Sequence, residues 1–410
     1  MSTILLRAAV LVAVLGPLAG LAAPLSLEAA LELALQRSEA ARAARAGLAS
    51  ATEAATAAGR LPDPTLRVGI ENLPVTGGDR FSLTRESMTM KRIGIGQEWL
   101  SPAKRSARQA AAEAAVGKEA VTAQAATAEV RLQTALAYID ALYARQDREL
   151  TALAERHARE ELEVARGRLA AGSASSPEVL ALSGARGVAE DADAQARQAQ
   201  SAADLSLQRW TGTQPEGLLA VVVGAAVAEP AYVAGHPEVA ALQRDVELAR
   251  RMADMTALDR RPNWTWEVAY GQRAGYSDMV SVGVSIPLPV APGSRQDRET
   301  AAKLALVDKA EAQLVEATWA ASAEYRTLAS DVQRLQERIE RYRSSVLLAA
   351  RQRTAVATAG YRSNQLGLAT LFEARHAELE AERRLLAMGR ELARLQARIA
   401  YRPIAPGALP

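Results

Sequence analysis

The sequence predicts a mainly α-helical protein that contains a few β-strands and is built as a twofold internal repeat. Aromatic residues make up only 4% of the chain, and Ala, Leu, Arg, Glu and Gln dominate it, as is typical of long helices. Segments of alternating apolar and polar residues occur twice, at an offset of about 200 residues. Each copy has the order helix, strand, strand, long helix, helix.

Composition and charge exclude several classes of function. The net charge is +2, so the chain has no strong field to attract nucleic acid. Cysteine is absent, which excludes disulfides, thiolate metal sites and cysteine nucleophiles. The sequence has no Gly-rich phosphate loop, no Ser/His/Asp grouping and no zinc motif. We therefore expect neither an enzyme nor a cofactor.

The first residues have the pattern of a secretory signal peptide. Arg7 precedes an apolar run from Ala8 to Leu21, and small residues then predict cleavage after Ala22 or Ala23. The run is short for a membrane anchor, and a polar helix follows it. No other stretch approaches the length of an apolar membrane helix, so we expect an exported protein without one.

The first copy begins with helices and two strands. Ser26 or Ser38 can cap helical segments that run to about Gly59. Pro62 ends them, because proline lacks a backbone donor. Period-two alternation then predicts two strands at about 64–100.

A helix of roughly 100 Å is predicted to follow at 106–171, and it reverses at 172–177. Gly172 can adopt the left-handed conformation, and Ser175 or Ser176 can cap the returning helix.

The second copy repeats these features. A hairpin is predicted at 263–288, and another helix of roughly 100 Å at 295–360. At the second reversal, 361–368, Asn364 stands where Gly172 stood, because both residue types tolerate positive φ.

Two of the helices carry apolar residues at heptad spacing, which predicts side-by-side packing. These seams are Val332, Leu335, Ile339, Tyr342 and Val346, and Leu385, Met388, Leu392, Leu395 and Ile399. The whole chain then divides into a signal peptide at 1–22, a first repeat at 23–212, a linker at 213–236, a second repeat at 237–402 and a tail at 403–410.

Two hairpins in an exported chain predict membrane strands. Strands of about ten residues with period-two alternation have the length of tilted outer-membrane strands. A four-stranded sheet cannot span a bilayer alone, because its edges would present unpaired backbone groups to lipid. Three copies would give twelve strands. We therefore expect an exported, oligomeric β-barrel that continues into an α-helical conduit.

The duplicated layout and both reversals resemble the TolC-type outer-membrane efflux factor family over essentially the whole mature length. In the first reversal, Gly172 is followed by Glu178-Val179-Leu180, and in the second, Asn364 is followed by Leu371-Phe372-Glu373-Ala374. The segments Leu61–Asn72 and Val284–Pro289 resemble the heavy-metal branch of that family.

This resemblance implies a homotrimeric, 12-stranded outer-membrane β-barrel that continues into a periplasmic α-helical barrel. Such a trimer would be the outer-membrane channel of a tripartite, resistance–nodulation–division type efflux system that exports heavy-metal cations. Its partners would be a periplasmic membrane-fusion adaptor and an inner-membrane pump in a Gram-negative bacterium. A multidrug or type I protein-secretion exit duct is the alternative in the same class. A periplasmic coiled-coil adaptor or structural protein is the alternative in another class. The lipidated N-terminal cysteine that the family often has is absent.

Charged residues after the reversals are candidates for a periplasmic gate. Glu373 and its equivalent Glu178 would form carboxylate rings in a trimer, which attract cations. Arg362 and Arg375 could pair with them and hold the tip shut. The family often has aspartates here, where this chain has Thr370 and Glu373. Ordinary solvated helix charges are the simpler interpretation.

Two more sets of residues are predicted to contact partners or lipid. At the reversals, small residues allow close approach and Leu366 and Leu368 would expose apolar surface, so adaptor contacts are expected at Gly172, Ser173, Ser175, Ser176, Asn364, Leu366 and Gly367. Simple helix turns are the alternative. On the second hairpin, Trp264, Trp266 and Tyr270 fit a lipid-facing strand, although a soluble sandwich strand would look similar.

The histidines give no metal site. His157, His236 and His376 are far apart in the sequence and share no ligand spacing.

Overall fold

A computed structural model describes residues 24–221 and 227–404. The predicted signal peptide, most of the tail and part of the linker lie outside the described residues. Helices dominate the described chain, and their bounds are α1 Leu27–Arg37, α2 Glu39–Ala58, α3 Pro102–Ala170, α4 Ser176–Thr211, α5 Glu229–Ala234, α6 Pro237–Ala257, α7 Gln296–Arg341, α8 Leu348–Arg362 and α9 Leu368–Tyr401. The linker is thus partly helical, because it contains α5.

Helix ends follow the predicted caps. The hydroxyls of Ser26 and Ser38 each accept a backbone N–H three residues ahead, at 3.1 Å, so both serines cap a helix. The first reversal uses Ser175, whose hydroxyl accepts the N–H of Glu178. The long helix α3 has 69 residues, which corresponds to roughly 100 Å.

The four strands form one antiparallel sheet in the order β1-β2-β3-β4. Their bounds are β1 Thr65–Glu71, β2 Met90–Trp99, β3 Trp264–Arg273 and β4 Met279–Ser285. The central pair joins β2 from the first copy to β3 from the second through ten paired positions, Met90–Arg273 to Trp99–Trp264. The two predicted hairpins are therefore halves of a single sheet.

The chain divides into two compact units, and each takes segments from both predicted copies of the repeat. Among the described residues, the first unit comprises 24–37, 133–221 and 335–394. The second comprises 38–132, 227–334 and 395–404, and it contains the sheet.

Within the first unit, ion pairs connect α3 to α9. Asp147 accepts from Arg383 at 2.9 Å, and Asp140 accepts from Arg390 at 2.9 Å and from Arg394. Alanines such as Ala165, which is fully buried, bring the helices close together. This Ala-rich packing explains how long helices form a stable unit with few aromatic residues.

Within the second unit, Tyr232 of α5 is the centre of a small core. It is fully buried, packs against Leu328 and Ile399, and donates its hydroxyl to Glu324 at 3.1 Å. Burial raises the pKa of the Tyr232 phenol, so it remains a donor at any physiological pH.

The second long helix contains a π-helical segment at Tyr342–Leu347 that the heptad pattern did not predict. The hydroxyls of Ser344 and Ser345 bond to carbonyl oxygens one turn back, at 2.8 Å, and so compete with the helical ladder. The wider turn shifts the seam by one position: Val346 is 45% exposed, whereas Leu347 is buried. The prediction that Val346 lies in the seam is therefore wrong.

Candidate functional site

Alternate positions on the four strands form one apolar face of the sheet. Its aliphatic members are Leu66, Val68, Ile70, Ile93, Ile95, Val268, Val280, Val282 and Val284. One row, from Leu66 through Ile95 and Val268 to Val282, crosses all four strands, and every member is at least 42% exposed. A soluble sheet covers such a face with a core. Here the apolar face is uncovered across its whole width.

The predicted lipid-facing aromatics lie on this apolar face. Trp264 is at the helix end of β3 and packs on Trp99, with ring centroids 5.9 Å apart. Tyr270 is near the turn end and donates its hydroxyl to Asp278, while Trp266 is half-buried between them. Trp99 and Trp264 thus end the apolar face on the helix side, whereas Tyr270 lies within the row of Val68, Ile93 and Val280.

The opposite face has small and charged residues. Its small members are Gly69, Gly94, Gly96, Ala269, Gly271, Ser281 and Gly283. The central strands have ten residues each. At 3.4 Å per residue and a tilt of about 45°, such a strand spans about 25 Å, the height of an outer-membrane apolar band.

The first helical reversal has the predicted backbone. Gly172 has φ 73°, and the N–H of Ser173 bonds to the carbonyl of Arg168 at 2.8 Å. The N–H of Gly172 donates to the carbonyl oxygen of Leu169 at 3.0 Å, which completes a Schellman motif. Ser175 and Ser176 follow at the start of α4.

The second reversal repeats the motif with different residues. Asn364 has φ 62°, and the N–H of Gln365 bonds to the carbonyl of Gly360 at 2.8 Å. Leu366 packs over Gly360, where a Cβ would lie 2.6 Å from the leucine side chain. A side chain at position 360 would therefore displace Leu366 from this packing, and Gly367 leads into α9.

Leu368 does not expose apolar surface, contrary to the sequence expectation. It is 8% exposed and belongs to a cluster with Ala357, Leu371 and Phe372, against which Leu182 of α4 packs. The cluster joins α8, α9 and α4 in the first unit. Leu366 remains 37% exposed and is the apolar side chain available at this tip.

The candidate gate carboxylates have intrachain partners other than the predicted ones. Glu373 is 71% exposed and lies 3.6 Å from Arg353. Glu178 lies 3.3 Å from Arg168 and is about one-third exposed. Arg362 and Arg375 therefore do not hold these carboxylates within one described chain, and the gate role stays a prediction.

The structure brings His376 to Glu161 and His157, which lie one turn apart on another helix. His376 Nε2 lies 3.2 Å from Oε2 of Glu161, whose side chain is 1% exposed. The hydrogen bond to Glu161 raises the pKa of His376. One turn before Glu161, burial and the nearby Arg375 lower the pKa of His157. No sequence signal links residues 161 and 376, which stand 215 positions apart.

Residues 24–221 and 227–404 contain neither a membrane-spanning helix nor a metal-binding cluster. No helix there combines the length and the hydropathy of a membrane span. No three His, Asp or Glu side chains come together in an arrangement that could hold a metal ion.

Comparison with solved structures shows which fold this chain has. The sequence matches no protein-family model and no curated protein. The outer membrane protein VceC from Vibrio cholerae matches with a TM-score of 0.74 and 18% identity, over 92% of this chain and 96% of that chain. The outer-membrane channel OprN matches with a TM-score of 0.76 and 17% identity, over 94% and 91%. This chain has their fold.

A structure of CusC, described in terms of transmembrane channel formation, matches with a TM-score of 0.75 and 12% identity, over 93% and 92%. These likenesses confirm the predicted fold class, a helical protein with a small antiparallel sheet. Closure of the sheet into a barrel stays a prediction.

Proposed function

We propose that the chain is the outer-membrane channel subunit of a tripartite efflux system. One observation carries the proposal: a four-stranded sheet has an apolar face that is fully uncovered, and its outer strands β1 and β4 have no further strand partner among the described residues. Water disfavours such a face, and a bilayer disfavours such edges. Both costs disappear if copies of the sheet join edge to edge within a membrane.

Three copies would give every edge strand a hydrogen-bonding partner. Strand β4 of one copy would pair with β1 of the next, and both have seven residues. Twelve strands in a closed ring leave no edge exposed to lipid. The solved structures with this fold include proteins described as outer-membrane channels, which supports the same location for this chain.

The helices would extend the passage into the periplasm. The reversals at Gly172 and Asn364 are then the contacts for a periplasmic adaptor, which links the channel to an inner-membrane pump. Glu373 is the best gate residue, because it is 71% exposed close to this tip. Three copies would form a carboxylate ring that favours cations. The chain provides a passage and no catalysis.

The cargo is a heavy-metal cation. Support comes from the resemblance of Leu61–Asn72 and Val284–Pro289 to the heavy-metal branch. A passive conduit needs no tight metal site of its own.

Membrane fractionation and planar bilayers test the channel. We expect the protein to stay in outer membranes after carbonate and high-salt washes, to migrate as a trimer, and to give stepwise conductance. Release by carbonate would support the periplasmic adaptor instead.

Deletion of the gene tests the cargo. We expect loss of growth on Cu, Zn, Co or Ni salts with unchanged tolerance of dyes and antibiotics. The reverse pattern would reject the metal assignment and favour a multidrug duct.

Glu373→Gln tests the gate. It should lower cation selectivity in bilayers, whereas Glu391→Gln, an exposed charge elsewhere on α9, should not. Equal behaviour of the two variants would remove Glu373 from the gate.

A further inference from the structure

The small-residue face of the sheet carries a line of four charged side chains across β1, β2 and β3. Arg67 Nη1 donates to Glu267 Oε2 at 2.7 Å, and Arg92 Nη2 donates to Glu267 Oε1 at 3.0 Å. Arg92 Nη1 donates to Glu71. We call Arg67, Glu267, Arg92 and Glu71 the charge ladder. Glu267 is its centre, because each of its two oxygens accepts from a different arginine.

Glycines make the charge ladder possible. Arg67 is on β1 and Glu267 is on β3, so the guanidinium must reach across β2. At this height the register places Gly94 opposite Arg67 and Gly96 opposite Glu267. A Cβ at Gly96 would lie 3.9 Å from Cγ of Glu267, so a larger side chain there would fill the path of the ion pair. Gly96 therefore leaves the space beside Glu267 through which the Arg67 guanidinium reaches it.

The charge ladder faces away from the apolar face of the same sheet. Neighbouring residues on a strand point to opposite sides, so Arg92 and Ile93 lie on different faces. The inference below rests on the proposed function. If the apolar face contacts lipid in a closed barrel, the charge ladder lines the water-filled interior.

We infer that the charge ladder keeps the barrel interior from selecting ions of either sign, and that Glu267 is the residue that keeps the ladder neutral. Two arginines and two glutamates cancel, so the ladder favours ions of neither sign. Charged side chains around a pore determine selectivity in channels. Arg67 is 65% exposed and Glu267 is 20% exposed, so loss of the carboxylate leaves a cation open to the water of the pore.

Reversal potentials in planar bilayers under a salt gradient test this assignment with the full-length protein. Glu267→Gln leaves one extra positive charge per chain, Arg67→Gln leaves one extra negative charge, and the double variant is neutral again. Lys91→Gln is the matched control. Lys91 is beside Arg92 but on the apolar face, where it pairs in register with Ile70.

We expect Glu267→Gln to lower the cation-to-anion permeability ratio about threefold and Arg67→Gln to raise it about threefold, as for a unit charge acting through screened water. The double variant and Lys91→Gln should match the wild type. A purely structural role would give shifts of the same sign or none, and either result would overturn the inference. If Glu267→Gln does not insert, Arg67→Gln alone decides by the direction of its shift. A wild-type protein without conductance would reject the proposed function instead.

Discussion

Lysine at position 282 tests whether the apolar face of the sheet contacts lipid. Val282 is the middle residue of β4 and is 74% exposed. The rest of the chain covers only about a quarter of the Val282 side chain. Full burial of a valine contributes about 1.5–3 kcal/mol, so loss of this partial contact costs about 0.5 kcal/mol in water. Lysine on the lipid face at the bilayer midplane costs about 2–4 kcal/mol. The two environments therefore predict clearly different outcomes for one substitution.

Ser281→Lys is the matched control, because Ser281 is adjacent, also exposed, and on the opposite face. We propose to unfold each variant with urea in lipid vesicles. The fraction unfolded is measured from the difference in electrophoretic mobility between folded and unfolded protein. Val282→Lys should be less stable than Ser281→Lys by about 2 kcal/mol, which is about 30-fold in the unfolding equilibrium.

Equal stability of the two lysine variants would refute the reasoning. In that case the apolar face would be in water, or covered by a partner that tolerates charge, and the barrel proposal would lose its main support. Unfolding of both variants in detergent, without a bilayer, gives the reference for the intrinsic cost of lysine on this strand.

Three further predictions concern the first unit. Gly172→Ala should cost about 1–2 kcal/mol because its φ is 73°, whereas Asn364→Gly, at φ 62°, should change stability by less than about 0.5 kcal/mol in chemical denaturation. Phe372→Ala should cost about 3–5 kcal/mol, because the side chain is 8% exposed in its cluster, and should lower the thermal midpoint. Because Glu161 raises the pKa of His376, the pair stabilises the fold below the unfolded pKa of about 6.5 and loses this effect as pH rises through the folded value. His376→Asn should therefore lower the thermal midpoint at pH 5.5 and much less at pH 8.5.

Each of these predictions has a result that would contradict it. Equal effects of Gly172→Ala and Asn364→Gly would mean that positive φ is not the constraint at the reversals. A mild Phe372→Ala would mean that its cluster collapses to fill the cavity. A larger effect of His376→Asn at high pH would contradict the sign of the linkage. The lowered pKa of His157 opposes stability at low pH, and His376 is one of its causes, so the variant relieves part of this opposing effect.

Local features of the sequence predicted local structure well. Gly172 and Asn364 were assigned to the reversals because few residue types accept positive φ, and both have it. Ser38 and Ser175 cap helices as expected, because a side-chain oxygen can satisfy a free N–H within one turn. Alternation predicted the strands, but it did not show that β2 pairs with β3 and joins both hairpins in one sheet.

Features that depend on distant residues could not be predicted. The carboxylate of Glu161 meets His376 from another helix, and nothing in either local pattern encodes that meeting. The sequence predicts exposed apolar surface at Leu368, yet packing against helices from elsewhere in the chain buries it. The π-helical segment at Tyr342–Leu347 was missed because heptad counting assumes a constant helical pitch.

The pairing of β2 with β3 has a consequence for the order of folding. Arg92 and Glu267 stand 175 positions apart, so the centre of the sheet cannot form until most of the chain has been synthesised. The hairpin of β1 and β2 is complete long before and must wait with an apolar surface and an unpaired edge. Non-local pairing of this kind is slow and prone to aggregation. We therefore expect the meeting of the two hairpins to limit the folding rate, and protection of the early hairpin to determine the yield.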